Sequence, residues 1–235
     1  MKTLTVIPAR YASTRFPGKP LVLIDGVSMI ERVYRQVQKS KKSNAIIVAT
    51  DDERILNHVK DFGGEAMLTN ANHPSGTDRC FEVYDYLNAD FDLLVNVQGD
   101  EPKLAPEAID SLIDFMEQNP MPIGTLARKA NEPSEYQNSN TVKVVFNKQQ
   151  QALYFSRSPI PFYRDKASSE FYQHIGIYAF KKEVIEELRK LQPSKLEQNE
   201  SLEQLRWLDN SFNIGVELTT YRSQGIDTPE DINKL

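Results

Sequence analysis
Three cations on one short stretch carry the first chemistry in this chain. Arg10, Arg15 and Lys19 lie in Ile7-Pro8-Ala9-Arg10-Tyr11-Ala12-Ser13-Thr14-Arg15-Phe16-Pro17-Gly18-Lys19-Pro20, directly after the apolar run Leu4-Thr5-Val6-Ile7. The first twenty residues hold four basic side chains and no acidic one, in a protein of net charge −5. Arginine offers a planar fork of donors and lysine a point charge, and both suit phosphate oxygens. The stretch does not match the G-x-x-x-x-G-K-[ST] loop, and its one glycine cannot supply a backbone cradle, so positive charge must come from side chains. The plain alternative is a solvated basic turn. A buried strand that empties into a stiffened cationic loop without acids favours a polyanion, such as a nucleoside triphosphate.

Carboxylates follow at two distant places. Asn96-Val97-Gln98-Gly99-Asp100-Glu101-Pro102 succeeds Leu93-Leu94-Val95, so a strand ends, Gly99 allows a turn and Asp100 projects from the sheet edge. Mg²⁺ takes one or two protein carboxylates together with phosphate oxygens and water, which Asp100 could begin to supply. Equally, Asp100 could cap the next helix, or Glu101 could be the ligand. In Gly225-Ile226-Asp227-Thr228-Pro229-Glu230-Asp231, Asp227 could complete a metal site if this segment returns to the sheet edge; otherwise Asp227 or Thr228 caps a last helix. His73-Pro74-Ser75-Gly76-Thr77-Asp78-Arg79 precedes a helix and exposes backbone N–H groups where a base edge or anion can bind, or is an ordinary cap. Cys80 reads as a small core side chain.

Later segments offer polar groups of another kind. In Tyr172-Gln173-His174-Ile175-Gly176-Ile177-Tyr178-Ala179-Phe180, strict alternation puts Tyr172, His174, Gly176 and Tyr178 on one face. That face has room for a hydroxylated ligand, or simply meets water. Arg157 ends the strand Ala152–Ser156 and could clamp a carboxylate or pair with a surface acid. In Glu200–Leu208, Leu202, Leu205 and Leu208 form the buried side, while Glu203 and Gln204 point toward solvent or a ligand.

These residues need a scaffold, and the first half supplies alternating elements. Strands are predicted at Leu4–Pro8, Ala45–Thr50 and Leu93–Val97, and helices at Ser28–Lys39, Glu53–Phe62, Asp78–Leu87 and Pro106–Gln118. Met29, Ile30, Val33 and Val37 mark one helix face, and Ser28 with Glu31 suggests its cap. Alternation favours a parallel, doubly wound sheet, whose ligands bind at the carboxyl ends of the strands where strand order reverses. The middle reads as antiparallel strands, Thr141–Asn147, Ala152–Ser156 and Tyr172–Phe180, with a turn at Lys148–Gln151. The end returns to helix (Leu196–Leu208), strand (Asn213–Thr220) and a short helix near Thr228-Pro229-Glu230. The expectation is an α/β chain forming one domain, 1–235, with a β-rich insert at about 125–180.

Composition narrows the partners. An apolar content of 40% over 235 residues suffices for a core, and the acidic balance argues against a nucleic-acid surface. No stretch approaches the roughly 18 apolar residues of a membrane span, so no membrane insertion is expected. The N-terminal apolar run is too short for a secretory core, and one cysteine excludes an internal disulfide, which places the chain in the cytoplasm.

Taken together, IPARYASTRFPGKPL, VATDDERI, HPSGTDR, NVQGDEP, VKVVF, ALYFSR, HIGIYAF, ESLEQLR and GIDTPEDI closely resemble the CMP-Kdo synthetases, the 3-deoxy-manno-octulosonate cytidylyltransferases, in family order over essentially the whole chain. The first motif is shared more loosely with other sugar nucleotidyltransferases; ALYFSR and ESLEQLR are more specific. Phe16 and Phe180 replace residues often Leu and Tyr in the family, and neither touches the chemistry. The resemblance implies the nucleotide-diphospho-sugar transferase fold, with a mostly parallel central sheet flanked by helices. It implies that CTP and the sugar acid Kdo give CMP-Kdo and pyrophosphate, for lipopolysaccharide synthesis, in a homodimer. By the same resemblance Arg10, Arg15 and Lys19 hold the triphosphate, and Asp100 and Asp227 hold Mg²⁺. Pro8, Ala9, Arg10 and the loop of Ser75, Gly76, Thr77 and Arg79 read cytosine; Arg157 holds the sugar carboxylate, with Gln98, His174, Tyr178, Glu203 and Gln204 on its hydroxyls. Two other readings stand beside it: a cytidylyltransferase for a related acid sugar, 8-amino-Kdo before a sialic acid, and a catalytically silent nucleotide-binding protein.

Overall fold
The near-continuous apolar run at the amino end forms strand β1 (Thr3–Ala9), buried along almost all its length. Such a run is what a strand covered on both faces requires. The computed structural model describes residues 1–12, 16–87, 91–165, 170–226 and 228–234. The chain divides into two compact units, Met1–Ile113 with Ser223–Leu235, and Asp114–Arg222. The expected β-rich insert, about 125–180, falls inside the second unit.

In the first unit β1 is followed by a 3₁₀ turn (Lys19–Leu21), the small hairpin β2 (Leu23–Ile24) and β3 (Val27–Ser28), and α1 (Met29–Val37). Then come β4 (Ala45–Thr50), α2 (Glu53–Asp61), β5 (Ala66–Leu68), α3 (Gly76–Tyr86), β6 (Leu93–Asn96) and α4 (Pro106–Gln118), whose last residues, from Asp114, belong to the second unit. The strands lie in the order β6-β1-β4-β5, all parallel, with Leu4 opposite both Leu94 and Ala45. The chain winds outward from β1 to β5 and then returns to the other side of β1. Strand order therefore reverses between β1 and β6, the crevice where doubly wound sheets bind ligands. Helix α1 starts as its sequence predicts: Ser28 Oγ accepts from Glu31 N at 3.2 Å, and Met29, Ile30, Val33, Tyr34 and Val37 are buried.

The second unit holds β7 (Ile123–Ala130), α5 (Pro133–Gln137), β8 (Lys143–Phe146), β9 (Ala152–Ser156), β10 (Phe171–Lys181), α6 (Lys182–Arg189), α7 (Lys195–Glu200), α8 (Gln204–Asp209) and β11 (Ile214–Leu218). β7 pairs parallel with β11 and antiparallel with β10, and β8 pairs antiparallel with β9 and β10. The fold class is α/β with a mostly parallel central sheet flanked by helices, as expected. The strand β7 itself was not legible in the sequence, because Arg128 and Lys129 interrupt its apolar pattern.

Two elements of the second unit depart from their sequence expectation. The helix predicted over Leu196–Leu208 is two helices, α7 and α8, with Ser201 in the left-handed region at φ 51°. The leucine spacing continues through the break, but a partly buried ion pair spans the turn. Arg206 Nε and Nη2 donate to the two carboxylate oxygens of Glu197 at 2.7 and 2.6 Å, which folds α8 back toward the start of α7. Glu197 also forms a capping box with Ser194. The clean alternation along Tyr172–Phe180 is also broken. Ile175 faces Leu126 but Tyr178 faces Thr125, so Gly176 and Ile177 form a bulge. The Thr125 hydroxyl lies 2.8 Å from the Ile177 carbonyl and 3.2 Å from that of Ile175, filling the bulge. Ile175 and the residues from Ile177 to Phe180 are consequently buried, and Tyr178 does not stand on an open polar face.

Candidate active site
The first unit builds a pocket of about 260 Å³ where β1, α3 and β6 bring their ends together. It is lined by Pro8, Ala9 and Arg10 at the carboxyl end of β1, by Lys19 and Pro20, by His73 to Gly76 with Arg79 at α3, and by Gln98, Gly99 and Asp100 after β6. Gly99 is required there by close approach: a Cβ on it would lie 2.8 Å from the Pro8 carbonyl oxygen. The expected turn at Gly99 is thus a contact that lets two loops touch.

Lys19 is held on both sides. Its ammonium donates to Asp100 Oδ2 and to the Ile226 carbonyl, each at 2.7 Å. Gly18, at φ 71°, opens the 3₁₀ turn that carries Lys19, and its N–H bonds the Tyr11 carbonyl at 2.9 Å. The Arg54 guanidinium covers the Tyr11 ring at 3.4 Å. Arg10 is exposed on the pocket wall. Arg15 and Asp227, singled out in the sequence, lie outside the described residues. So does any geometry of a two-carboxylate metal site; among the described residues no group of three or more His, Cys, Asp or Glu side chains is placed to hold a metal.

The alternatives left open at Asp100 and Glu101 separate. Asp100 does not cap α4; it lines the pocket and pairs with Lys19. Glu101 is buried, 8% exposed, and its carboxylate accepts from the Ser223 hydroxyl and from Gln224 N. Ser75 is both cap and lining: its hydroxyl accepts from Asp78 N at 3.1 Å at the start of α3. Arg79 lines the pocket, but its guanidinium is buried against the Thr69 hydroxyl and Asp51 Oδ2. Thr77 turns into the core, where its hydroxyl meets Asn96 Nδ2 at 3.3 Å, and does not line the pocket. Cys80 is fully buried, as expected of a core side chain.

The second unit gathers the other polar candidates around α8. Trp207 on α8 meets the Tyr178 ring edge-on at 5.0 Å, and Tyr178 lies 5.4 Å from the His174 ring. Burial, together with the nearby Glu203 carboxylate, holds the Tyr178 phenol well above its ordinary range, so it stays protonated. Gln204 is 3% exposed, and its Nε2 has no partner among the described residues. A buried amide left without an acceptor is costly unless a ligand oxygen supplies one. Arg157 Nε, Nη1 and Nη2 donate to the carbonyls of Glu200, Ser139 and Ser201 at 2.7, 3.1 and 3.3 Å. It therefore ties the end of β9 to the turn that leads into Glu203. Beneath it lies Lys143, which sequence reasoning missed. This fully buried ammonium donates to the carbonyls of Asn138, Thr141 and Arg157. Its signal was a lysine within the apolar run Val142–Val145.

His174 offers a test of this packing. Burial pushes its imidazole from 6.5 down to about 3, so the ring is neutral near pH 7 and bonds Thr125 Oγ1 at 3.0 Å. Between those values the unfolded chain binds a proton that the folded one refuses. Stability therefore falls as pH drops below 6.5, by at most about 1.4 kcal/mol per pH unit, less for the solvent the ring still touches. Melting temperature measured from pH 7 to pH 5 should fall less steeply in His174→Gln than in the native protein. Equal slopes would mean that the ring takes its proton inside the fold.

Comparison with known proteins gives these sites their setting. A family model described as "Cytidylyltransferase" matches residues 4–217. The 3-deoxy-manno-octulosonate cytidylyltransferase of Thermodesulfovibrio yellowstonii is 48% identical, over 99% of this chain and 96% of its own. That of Cytophaga hutchinsonii is 46% identical, over 99% and 95%. A solved CMP:2-keto-3-deoxy-manno-octonic acid synthetase complexed with CTP superposes with a TM-score of 0.94 at 41% identity, over 100% of this chain and 96% of that one. The chain belongs to the 3-deoxy-manno-octulosonate cytidylyltransferase family. As a cytidylyltransferase it is a nucleotidyltransferase enzyme. The pocket at the β1–β6 reversal contains, among the described residues, every base and phosphate candidate except Thr77, and also Gln98, which the resemblance assigned to the sugar. No helix among the described residues is long and apolar enough to cross a membrane.

Proposed function
We propose that the chain joins CTP to Kdo, giving CMP-Kdo and pyrophosphate. The observation that carries this reading is the pocket at the β1–β6 reversal, where Arg10, Lys19, Arg79 and Asp100 converge in a chain of this family. The anomeric hydroxyl of the sugar attacks the α-phosphorus of CTP in line; its new O–P bond forms as the bond to pyrophosphate breaks and the hydroxyl proton is lost. Both substrates are anionic, so fixed cations that meet the charge where it builds are the main requirement. Lys19 commits two of its three donors to Asp100 and Ile226, which aims the remaining one. Arg10 and Arg15 add charge from the same loop.

Asp100 and Asp227 would hold Mg²⁺. The donor chemistry fits, because Asp100 is a hard oxygen donor on the wall of a pocket suited to phosphate. When bound, Mg²⁺ supplies positive charge at the phosphate oxygens and lowers the pKa of the attacking hydroxyl. Among the sugar candidates, Gln204 Nε2, which has no partner among the described residues, supports a ligand oxygen near α8. We place the enzyme in the cytoplasm, as a homodimer serving lipopolysaccharide synthesis; the exposed apolar Leu153, Phe162 and Leu218 of the second unit are surfaces a subunit contact would cover.

Pyrophosphate release from CTP, measured with Kdo, with 8-amino-Kdo and with no sugar, tests the reading. Release that depends on Kdo supports it; faster release with the amino sugar selects that substrate; none with either leaves a silent nucleotide-binding protein. Arg157→Ala is expected to raise KM for Kdo about 10- to 100-fold while KM for CTP stays within a factor of three. Unchanged KM and kcat for Kdo would take Arg157 out of the sugar site.

A further inference from the structure
We propose that Glu101 is a positioning residue for the phosphate pocket and acts through Lys19; this rests on the reading of that pocket as the CTP site. The segment Ser223–Ile226 returns from the far end of the sequence to the loop after β6, where Glu101 and Asp100 hold it. The Glu101 carboxylate accepts from the Ser223 hydroxyl through Oε1 and from Gln224 N through Oε2 at 3.1 Å. Ile226 N donates to the Asp100 carbonyl at 3.0 Å. The Ile226 carbonyl, carried in by this clip, is one of the two acceptors that fix the Lys19 ammonium, and the neighbouring Asp100 carboxylate is the other. Ile226 packs with Ile24 and Met29, with Phe16 and Ile232 against them, which seats the segment's apolar side. Glu101 is buried, does not line the pocket and has both carboxylate oxygens turned to the returning segment. A carboxylate kept in the interior that accepts through each oxygen from one distant segment helps to fix that segment's register. Here the register decides where the Ile226 carbonyl stands, and so where the lysine points.

The test is a cycle on the full chain: native, Glu101→Ala, Glu101→Gln, Lys19→Met and the double variant Glu101→Ala/Lys19→Met. Each is measured for CTP affinity by calorimetry and for Kdo-dependent pyrophosphate release. Glu101→Ala should weaken CTP binding and kcat/KM for CTP about 10- to 100-fold, as displacement of a charged donor by an ångström does, with KM for Kdo unchanged. Glutamine should restore most of the loss, since its amide oxygen can accept from Gln224 N and its amino group can donate to the Ser223 hydroxyl. The double variant should be no worse than Lys19→Met alone, because the two residues act as one unit. Additive losses, or native CTP affinity in Glu101→Ala, would overturn the proposal. If Glu101→Ala does not fold, Ser223→Ala replaces it in the cycle under the same criterion of non-additivity. A native protein that neither binds CTP nor releases pyrophosphate would instead sink the reading of the pocket itself.

Discussion

Asp100→Ala should lower kcat for pyrophosphate release by about a thousandfold, on the order of 4 kcal/mol of barrier, while CTP still binds. Asp100 lines the pocket and holds the Lys19 ammonium at 2.7 Å. Removing the carboxylate leaves that ammonium on the Ile226 carbonyl alone and takes away the acid proposed to hold Mg²⁺. Arg10 and the α3 loop remain, so the ground-state grip on the nucleotide is less affected than the step in which charge moves. The expected pattern is therefore a collapse of kcat by about a thousandfold that exceeds the loss of CTP affinity, which should stay within the roughly 10- to 100-fold expected of Glu101→Ala, measured at saturating Mg²⁺. Asp100→Asn keeps the shape without the charge and should be nearly as slow. A kcat near the native value in either variant would remove Asp100 from the chemistry.

Trp207→Ala should cost about 3–5 kcal/mol of stability, the range for deleting a large buried aromatic. Trp207 is 1% exposed and meets Tyr178 and Phe180 edge-on at 5.0 and 5.2 Å. It lies on α8, three residues after Gln204, and both side chains are buried. Urea unfolding should show the loss as a lower midpoint. At a temperature where the variant is still folded, KM for Kdo should rise more than KM for CTP, because the cavity lies in the second unit. Trp207→Phe fills part of the space and should recover a good share of the stability. A loss below about 1 kcal/mol in the alanine variant would show that α8 is held by other contacts.

Chemical identity was legible wherever function rests on a short run of residues. The cationic loop, the NVQGDEP and HPSGTDR segments and the continuous apolar runs of β1, β4 and β6 are local signals, and a resemblance spread along the whole chain tied them to one family. The cap at Ser28 and the bounds of β4, α4 and β9 followed from local pattern as well. Less was visible where tertiary contacts overrule local pattern. The bulge in β10 depends on Thr125 of a neighbouring strand, and the break between α7 and α8 on an ion pair nine residues apart.

The sequence by itself determined the chemistry on offer: which side chains carry positive charge, which carry carboxylates, and which parallel strands must deliver them. Covalent neighbours and apolar periodicity suffice for that, because both are properties of contiguous residues. Only the tertiary structure decided which acid does what. Asp100 and Glu101 are adjacent and chemically alike, yet one faces the pocket beside Lys19 and the other is buried under Ser223 and Gln224. The partner that divides them arrives from more than a hundred residues away, and no local preference can anticipate a contact closed over that span of chain.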